Sequence, residues 1–168
     1  DIVDIAGLVK GASQGEGLGN QFLGNIRETD AIIHVLRCFD NDNIVHVDGS
    51  VNPVRDKEII DAELQLKDLE TVENRIKRVE KQARVGRDKQ AKLEFDVLSA
   101  YRDALLQGKS ARTVTFETED EIATAKGLFL LTTKPVLYVC NVDDTSAANG
   151  NPYVEAVREA IKDEDAEL

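Results

Sequence analysis

Three short apolar segments, at residues 2–6, 31–39 and 135–141, constrain the fold of this chain more than any other feature. Each is nearly continuous in apolar side chains and rich in Val and Ile, which is the pattern of a strand buried on both faces of a parallel sheet. Helical patterns separate the three segments. This alternation predicts an α/β fold with a mostly parallel sheet.

The helical patterns carry start signals. Residues 17–28 are predicted to form one helix. Thr118 and the acid three residues later fit a capping box before a helix at residues 122–131. Asn151, followed by a proline, is expected to begin a last helix that ends at Ile161.

The middle of the chain has a different periodicity. Its apolar side chains recur every three or four residues in two stripes: Leu69, Val72, Ile76, Val79 and Ala83, then Leu98, Tyr101 and Leu105. Gly86 separates the stripes, so two helices can fold back on each other. We therefore expect residues 53–112 to form an antiparallel α-helical coiled-coil hairpin, inserted into an α/β domain made of residues 1–52 and 113–168.

Charge and apolar content exclude some functions. The net charge of −11 argues against general nucleic-acid binding, and sequence-specific DNA binding is not expected. Residues 77–92 are a local exception, with seven basic residues against two acidic ones. The apolar runs are too short to span a bilayer, so no membrane segment is expected. Cys38 and Cys140 suit reduced thiols of a cytoplasmic protein better than a disulfide.

Two motifs follow the first and third apolar segments. Asp4 and Gly7 form the D-x-x-G pattern of P-loop nucleotide hydrolases, in which the aspartate holds Mg²⁺ and the glycine N–H approaches the γ-phosphate. A simple strand-to-turn junction would contain the same residues. Asn141 and Asp144 give N-x-x-acid, which suits a base-recognition loop, and the alternative is an Asx turn that closes the strand.

These motifs lie within longer stretches that closely resemble the YchF/Obg-like ATPase family of Obg-related P-loop proteins. The stretches are "DIAGLVKGASQGEGLGNQFLGNIRETDAIIHVLRCFDNDNIVHVDG", "NPVRDKEII" and "KPVLYVCNVDD", and the resemblance covers essentially the whole chain. It implies a P-loop NTPase domain with an inserted coiled-coil hairpin, followed by a TGS domain, in a cytoplasmic ATPase that binds ribosomes. It also implies Mg²⁺ at Asp4, phosphate contact at Gly7, and base contacts from Asn141, Val142 and Asp144.

The resemblance also shows what this sequence lacks. No G-x-x-x-x-G-K-[ST] occurs in the 168 residues, so the chain alone is expected neither to bind ATP tightly nor to hydrolyse it. Leu8 stands where Ras-like hydrolases have the glutamine that orients water, so another polar group is needed. His46, in a polar loop, is the candidate, against the alternative of an exposed histidine without a role. His34 is expected to pack in the core.

The sequence leaves two questions undecided: which nucleobase is bound, and which surface contacts a partner. The family typically has N-x-x-E, whereas Asp144 restores the length found in GTPases, so ATP is expected with GTP as an alternative. Arg84, Arg87 and Lys89 at the hairpin tip could meet ribosomal RNA phosphates, or simply form a solvated helix face. A non-catalytic scaffold for protein or RNA contact is a further alternative.

Overall fold

The computed structural model describes residues 1–5, 19–41, 43, 49–86 and 88–168. In chain order the elements are α1 (Gly19–Arg27), β1 (Ile32–Arg37), α2 (Pro53–Arg84), α3 (Lys89–Leu106), a 3₁₀ turn (Ala111–Thr113), α4 (Glu119–Lys126), β2 (Val136–Asn141) and α5 (Pro152–Ile161). None of the helices in this described part is both long and apolar enough to cross a membrane.

The chain divides into two compact units. One contains residues 1–29 and 61–134, and the other contains residues 30–60 and 135–168. Helix α2 therefore belongs to the second unit as far as Ile60 and to the first from Asp61. The predicted division of the sequence at residues 53 and 112 stays a prediction.

In the unit of residues 30–60 and 135–168, β1 and β2 pair in parallel, in register from Ile32 opposite Val136 to Arg37 opposite Asn141. The predicted strands at residues 31–39 and 135–141 are confirmed, with slightly narrower bounds. Parallel neighbours require a crossover connection, and here it contains the whole helical hairpin.

The burial of these strands differs from the prediction. On one face Leu36 and Tyr138 are buried in a cluster with α5 residues such as Val157. On the other face Ile33 and Val35 are 49% and 61% exposed. The expectation of strands buried on both faces is wrong within the described residues, because α5 covers only one face.

The predicted strand at residues 2–6 is also wrong for its described part. Residues 1–5 form no strand, and Ile2 and Val3 are 88% and 62% exposed. The β propensity of an apolar segment is expressed only where a neighbouring strand supplies hydrogen bonds. No described strand pairs with these residues.

The predicted cap residues are confirmed, although α4 begins at Glu119 rather than at residue 122. Thr118 caps α4. Its Oγ1 accepts from Glu121 N at 3.2 Å, and its own N–H donates to Glu121 Oε1 at 3.3 Å, which completes the capping box. α4 ends at Lys126 rather than at residue 131. Phe129 adopts a φ of 52°, and this left-handed conformation is incompatible with a continuing α-helix. Asn151 caps α5, and α1 lies within the predicted residues 17–28.

Helices α2 and α3 form the predicted antiparallel hairpin. Val72 and Ile76 of α2 share a buried cluster with α3 side chains that include Leu98. Arg75 Nη1 lies 3.9 Å from Glu94 Oε1, and Gln65 Nε2 donates to Ser110 Oγ at 3.1 Å. The later residue of α2 thus contacts the earlier residue of the returning chain, and the earlier residue of α2 contacts the later one. The two helices therefore run in opposite directions. Gly86 turns the chain with a φ of 72°.

A fully buried carboxylate, Asp68, ties α2 to the segment that precedes β2. Its Oδ1 accepts from Leu131 N at 2.7 Å, and its Oδ2 accepts from Thr132 N and Thr132 Oγ1 at 2.7 and 2.6 Å. Thr132 Oγ1 in turn accepts from Ala111 N at 2.8 Å. Burial raises the pKa of Asp68 above 3.8, and the three hydrogen bonds and Arg27 oppose that rise.

Candidate functional site

The carboxyl ends of β1 and β2 lie side by side at one edge of the described sheet. Arg37 and Asn141, the last residues of the strands, are register partners, and Cys38 N donates to Asn141 O at 2.7 Å. In open α/β sheets, ligands bind at the carboxyl ends of the strands, where loops of different strands converge. This edge is therefore the candidate site.

Three of the predicted site residues stand together there, on the loop that leaves β2. Asn141 and Asp144 are exposed, and Val142 is half-buried against the apolar cluster of β1, β2 and α5. The two polar side chains are thus open to a ligand while the intervening apolar one anchors the loop. This arrangement fits the predicted base-recognition motif.

The loop is folded on itself. Ser146 N donates to Asp143 O and to Asp143 Oδ1, both at 3.1 Å, and a hydrogen bond from the Ser146 side chain is the main cause that lowers the pKa of Asp143. Gly150 N donates to Ser146 O at 2.8 Å, and Gly150 has a φ of 73°. These contacts form a β-turn over residues 143–146, in which the Asp143 side chain also accepts from Ser146 N. The Asx turn at Asn141, considered as the alternative, stays a prediction.

Sequence reasoning missed the residues that fix this loop. Asn151 Nδ2 donates to Cys38 O at 2.7 Å, and Tyr153 Oη donates to Asp40 Oδ1 at 2.6 Å. This contact is the main cause that raises the pKa of Tyr153. The Asn-Pro pair was a visible signal, but it indicated a helix start and gave no indication of a partner far along the chain.

Cys38 takes part through its backbone rather than its thiol. Both cysteines are free, with Cys38 buried and Cys140 half-buried. Burial, a hydrogen bond with Cys140 and the nearby Asp56 charge raise the pKa of the Cys38 thiol from 9.0 to about 12. A thiol with that pKa is protonated at neutral pH and is a poor nucleophile.

The phosphate side of the predicted site is only partly described. Asp4 is exposed and belongs to the unit of residues 1–29 and 61–134. Gly7, Leu8 and His46 lie outside the described residues. An exposed carboxylate has the oxygen chemistry that Mg²⁺ prefers, since this ion is held by one or two carboxylates together with water and phosphate. Asp4 therefore fits Mg²⁺ by its donor type.

The hairpin tip provides a second polar surface. Lys81, Arg84 and Lys89 are exposed, and Arg84 Nη2 lies 2.6 Å from Glu80 Oε1 in an i,i+4 pair. Arg87 lies outside the described residues. The pair with Glu80 is the contact expected of a solvated helix face.

Comparisons with known proteins agree on one family. Residues 1–81 match a family model described as a 50S ribosome-binding GTPase. The chain is similar to the ribosome-binding ATPase YchF of Bacillus subtilis, with 51% identity over 170 residues, 100% of this chain and 46% of the relative. It is 53% identical to that of Escherichia coli O157:H7 over 159 residues, 95% of this chain and 43% of the relative.

A solved structure supports the same grouping. The YchF GTPase of Schizosaccharomyces pombe matches with a TM-score of 0.79 and 34% identity, covering 97% of this chain and 45% of that one. The fold is thus the α/β fold of P-loop GTPases. The chain spans less than half the length of the curated relatives it matches. With about half of its residues identical along nearly its whole length, the chain belongs to the YchF family.

Proposed function

We propose that the protein to which this sequence belongs is a cytoplasmic, ribosome-associated ATPase that hydrolyses ATP to ADP and phosphate with Mg²⁺. The observation that carries the proposal is the loop after β2, which holds Asn141 and Asp144 exposed at the carboxyl edge of a parallel sheet. Relatives named ribosome-binding ATPase YchF support it.

In this proposal the parts have separate roles. Asn141, Val142 and Asp144 contact the base, and the two polar side chains read its edge. Asp4 holds Mg²⁺, through water, and the backbone N–H of Gly7 contacts the γ-phosphate. The bound metal ion supplies positive charge that neutralises the phosphate oxygens. Glycine is needed at position 7 because a side chain would keep the amide away from the phosphate.

The test is nucleotide binding and turnover by the complete protein. We expect Mg²⁺-dependent ATP hydrolysis that falls strongly in Asp4→Asn, because a neutral amide is a weaker magnesium ligand. Asp30→Asn is a matched control, since Asp30 is an exposed aspartate just before β1. Equal turnover in wild type and Asp4→Asn would contradict the role of Asp4, and no turnover would contradict the ATPase.

A GTPase is the second candidate, favoured by Asp144. An aspartate can accept both N–H donors of guanine, whereas adenine presents an acceptor to it, and the resulting unsatisfied contact costs roughly 1–3 kcal/mol. Competition between ATP and GTP on the complete protein separates the two. Asp144→Glu, which gives the family's usual residue, is expected to shift the preference further towards ATP.

His46 is proposed to position the attacking water in place of the glutamine that Leu8 replaces. An imidazole that titrates near neutral pH can hydrogen-bond water and accept its proton. His46→Ala is expected to cut the kcat of the complete protein at least about tenfold while ATP affinity stays nearly unchanged. His34→Gln, within β1, tests whether any histidine substitution has the same effect.

The hairpin tip is proposed to contact ribosomal RNA. Basic residues that meet phosphates release counterions, so binding should weaken steeply with salt. Replacing Arg84, Arg87 and Lys89 by Gln is expected to weaken ribosome binding and flatten its salt dependence. Arg158→Gln on α5 with Lys162→Gln at its C-cap removes exposed positive charge elsewhere as a control. An unchanged salt dependence would favour the solvated-face alternative.

A non-catalytic scaffold is the remaining alternative. Such a scaffold would use the hairpin and the α/β domain for protein or RNA contact. In that case we expect ribosome binding that does not depend on nucleotide, and no ATP turnover. Comparing ribosome binding of the complete protein with ATP, with ADP and without nucleotide distinguishes it from the ATPase.

A further inference from the structure

The segment of residues 141–150, here called the β2 loop, is attached at both ends to the backbone of one residue. At its start, Asn141 O accepts from Cys38 N at 2.7 Å. At its end, Asn151 Nδ2 donates to Cys38 O at 2.7 Å. The backbone N–H and C=O groups of Cys38, which directly follows β1, thus hold the two ends of the loop.

Asn151 has the chemistry for this double task. Its Nδ2 holds Cys38 O, and its Oδ1 accepts from Val154 N at 3.0 Å and caps α5. Aspartate and serine can also cap a helix. Neither can donate from the same position as the amide nitrogen, so the cap can be kept while the attachment to Cys38 is removed.

The interior of the loop depends on this closure. Ser146 N bonds back to Asp143, and Gly150 N bonds back to Ser146. Asn141 and Asp144 themselves stand exposed. Freeing one end of a short closed loop returns conformational freedom to its residues, so the directions of the exposed side chains become less defined.

Resting on the proposed nucleotide-binding function, we infer that Asn151 is a positioning residue for nucleobase selection. Through its bond to Cys38 O it holds the β2 loop so that Asn141 and Asp144 meet the edge of the purine base. Tyr153, whose hydroxyl bonds Asp40 Oδ1, joins the first turn of α5 to the same strand end and supports the closure.

The experiment uses the complete protein with Asn151→Ser and Asn151→Asp, which both keep the α5 cap. Asn74→Asp, at an exposed position of α2, is the control for added charge. Dissociation constants of fluorescent ATP and GTP analogues, kcat for each nucleotide, and hydrogen exchange of peptides covering residues 141–150 are measured.

We expect both Asn151 variants to raise the dissociation constant for the preferred nucleotide about tenfold, as for loss of one positioned hydrogen bond. The ratio of ATP to GTP affinity should move towards one, kcat should stay within about twofold, and exchange in the β2 loop should accelerate. A purely structural role in α5 would leave the affinity ratio unchanged. Asn74→Asp should behave as wild type.

Two failures are distinguishable. If wild type binds nucleotide and the Asn151 variants keep the wild-type affinity ratio, the inference about Asn151 is overturned while the proposed function stands. If wild type binds no nucleotide, the proposed function and the inference both fall.

Discussion

Replacing Asp68 by Ala tests how the hairpin is attached to the rest of its compact unit. The Asp68 carboxylate is fully buried and accepts three hydrogen bonds, from Leu131 N, Thr132 N and Thr132 Oγ1. Alanine leaves both amides without an acceptor in the interior. In Asp68→Ala the Thr132 hydroxyl still accepts from Ala111 N. It loses only Asp68 Oδ2, the atom to which it donates.

The magnitude follows from these contacts. A buried donor that loses its partner costs about 1–3 kcal/mol, and two amides are affected. Removing the carboxylate also removes the cost of burying it, which offsets part of the loss. We therefore expect Asp68→Ala to lower the free energy of unfolding by about 2–5 kcal/mol. Asp68→Asn keeps one acceptor but turns an NH₂ group towards a donor, so its loss should be intermediate.

The assay is urea unfolding followed by far-UV circular dichroism, with hydrogen exchange of the Leu131 and Thr132 amides. Glu70→Ala is the matched control on the same helix. The Glu70 side chain is 53% exposed and forms a surface i,i+3 ion pair with Lys67, so the loss of unfolding free energy in Glu70→Ala should be below about 1 kcal/mol. A loss in Asp68→Ala no larger than that of Glu70→Ala, with unchanged exchange, would refute the reasoning.

Three further predictions concern local features. The raised pKa of Cys38, about 12 against 9.0, lowers its thiolate fraction near neutral pH. Its alkylation in the native state should therefore be about a thousandfold slower than in urea, and equal rates would contradict this. Thr118→Ala should lower the unfolding free energy by about 1 kcal/mol through loss of the α4 cap, and an unchanged value in urea titration would argue against the capping box. Gly86→Ala should cost about 1–2 kcal/mol because of its positive φ, whereas Gly24→Ala in open helical space should be neutral or stabilising.

The sequence predicted the elements where the signal is local. The stripe around Val72 and Leu98 placed the hairpin, and the signals at Thr118 and Asn151 placed two helix starts. The parallel pairing of β1 and β2 also followed from their pattern. All of the predicted site residues stay a prediction. Asn141, Val142 and Asp144 lie together on one loop because they are almost contiguous in the sequence, whereas the grouping of Asp4 with them rests on the resemblance alone.

Helix periodicity, caps and turn glycines were determined by the sequence itself, because each depends on a single residue or on residues three or four positions apart. The tertiary structure decided which strand faces are covered, and it exposed Ile33 and Val35 where the apolar pattern indicated burial. It also brought Asn151 to Cys38, at a separation of 113 residues. Such a bond leaves no periodic mark in the sequence, because a single polar side chain finds its partner only after the strands and α5 have packed.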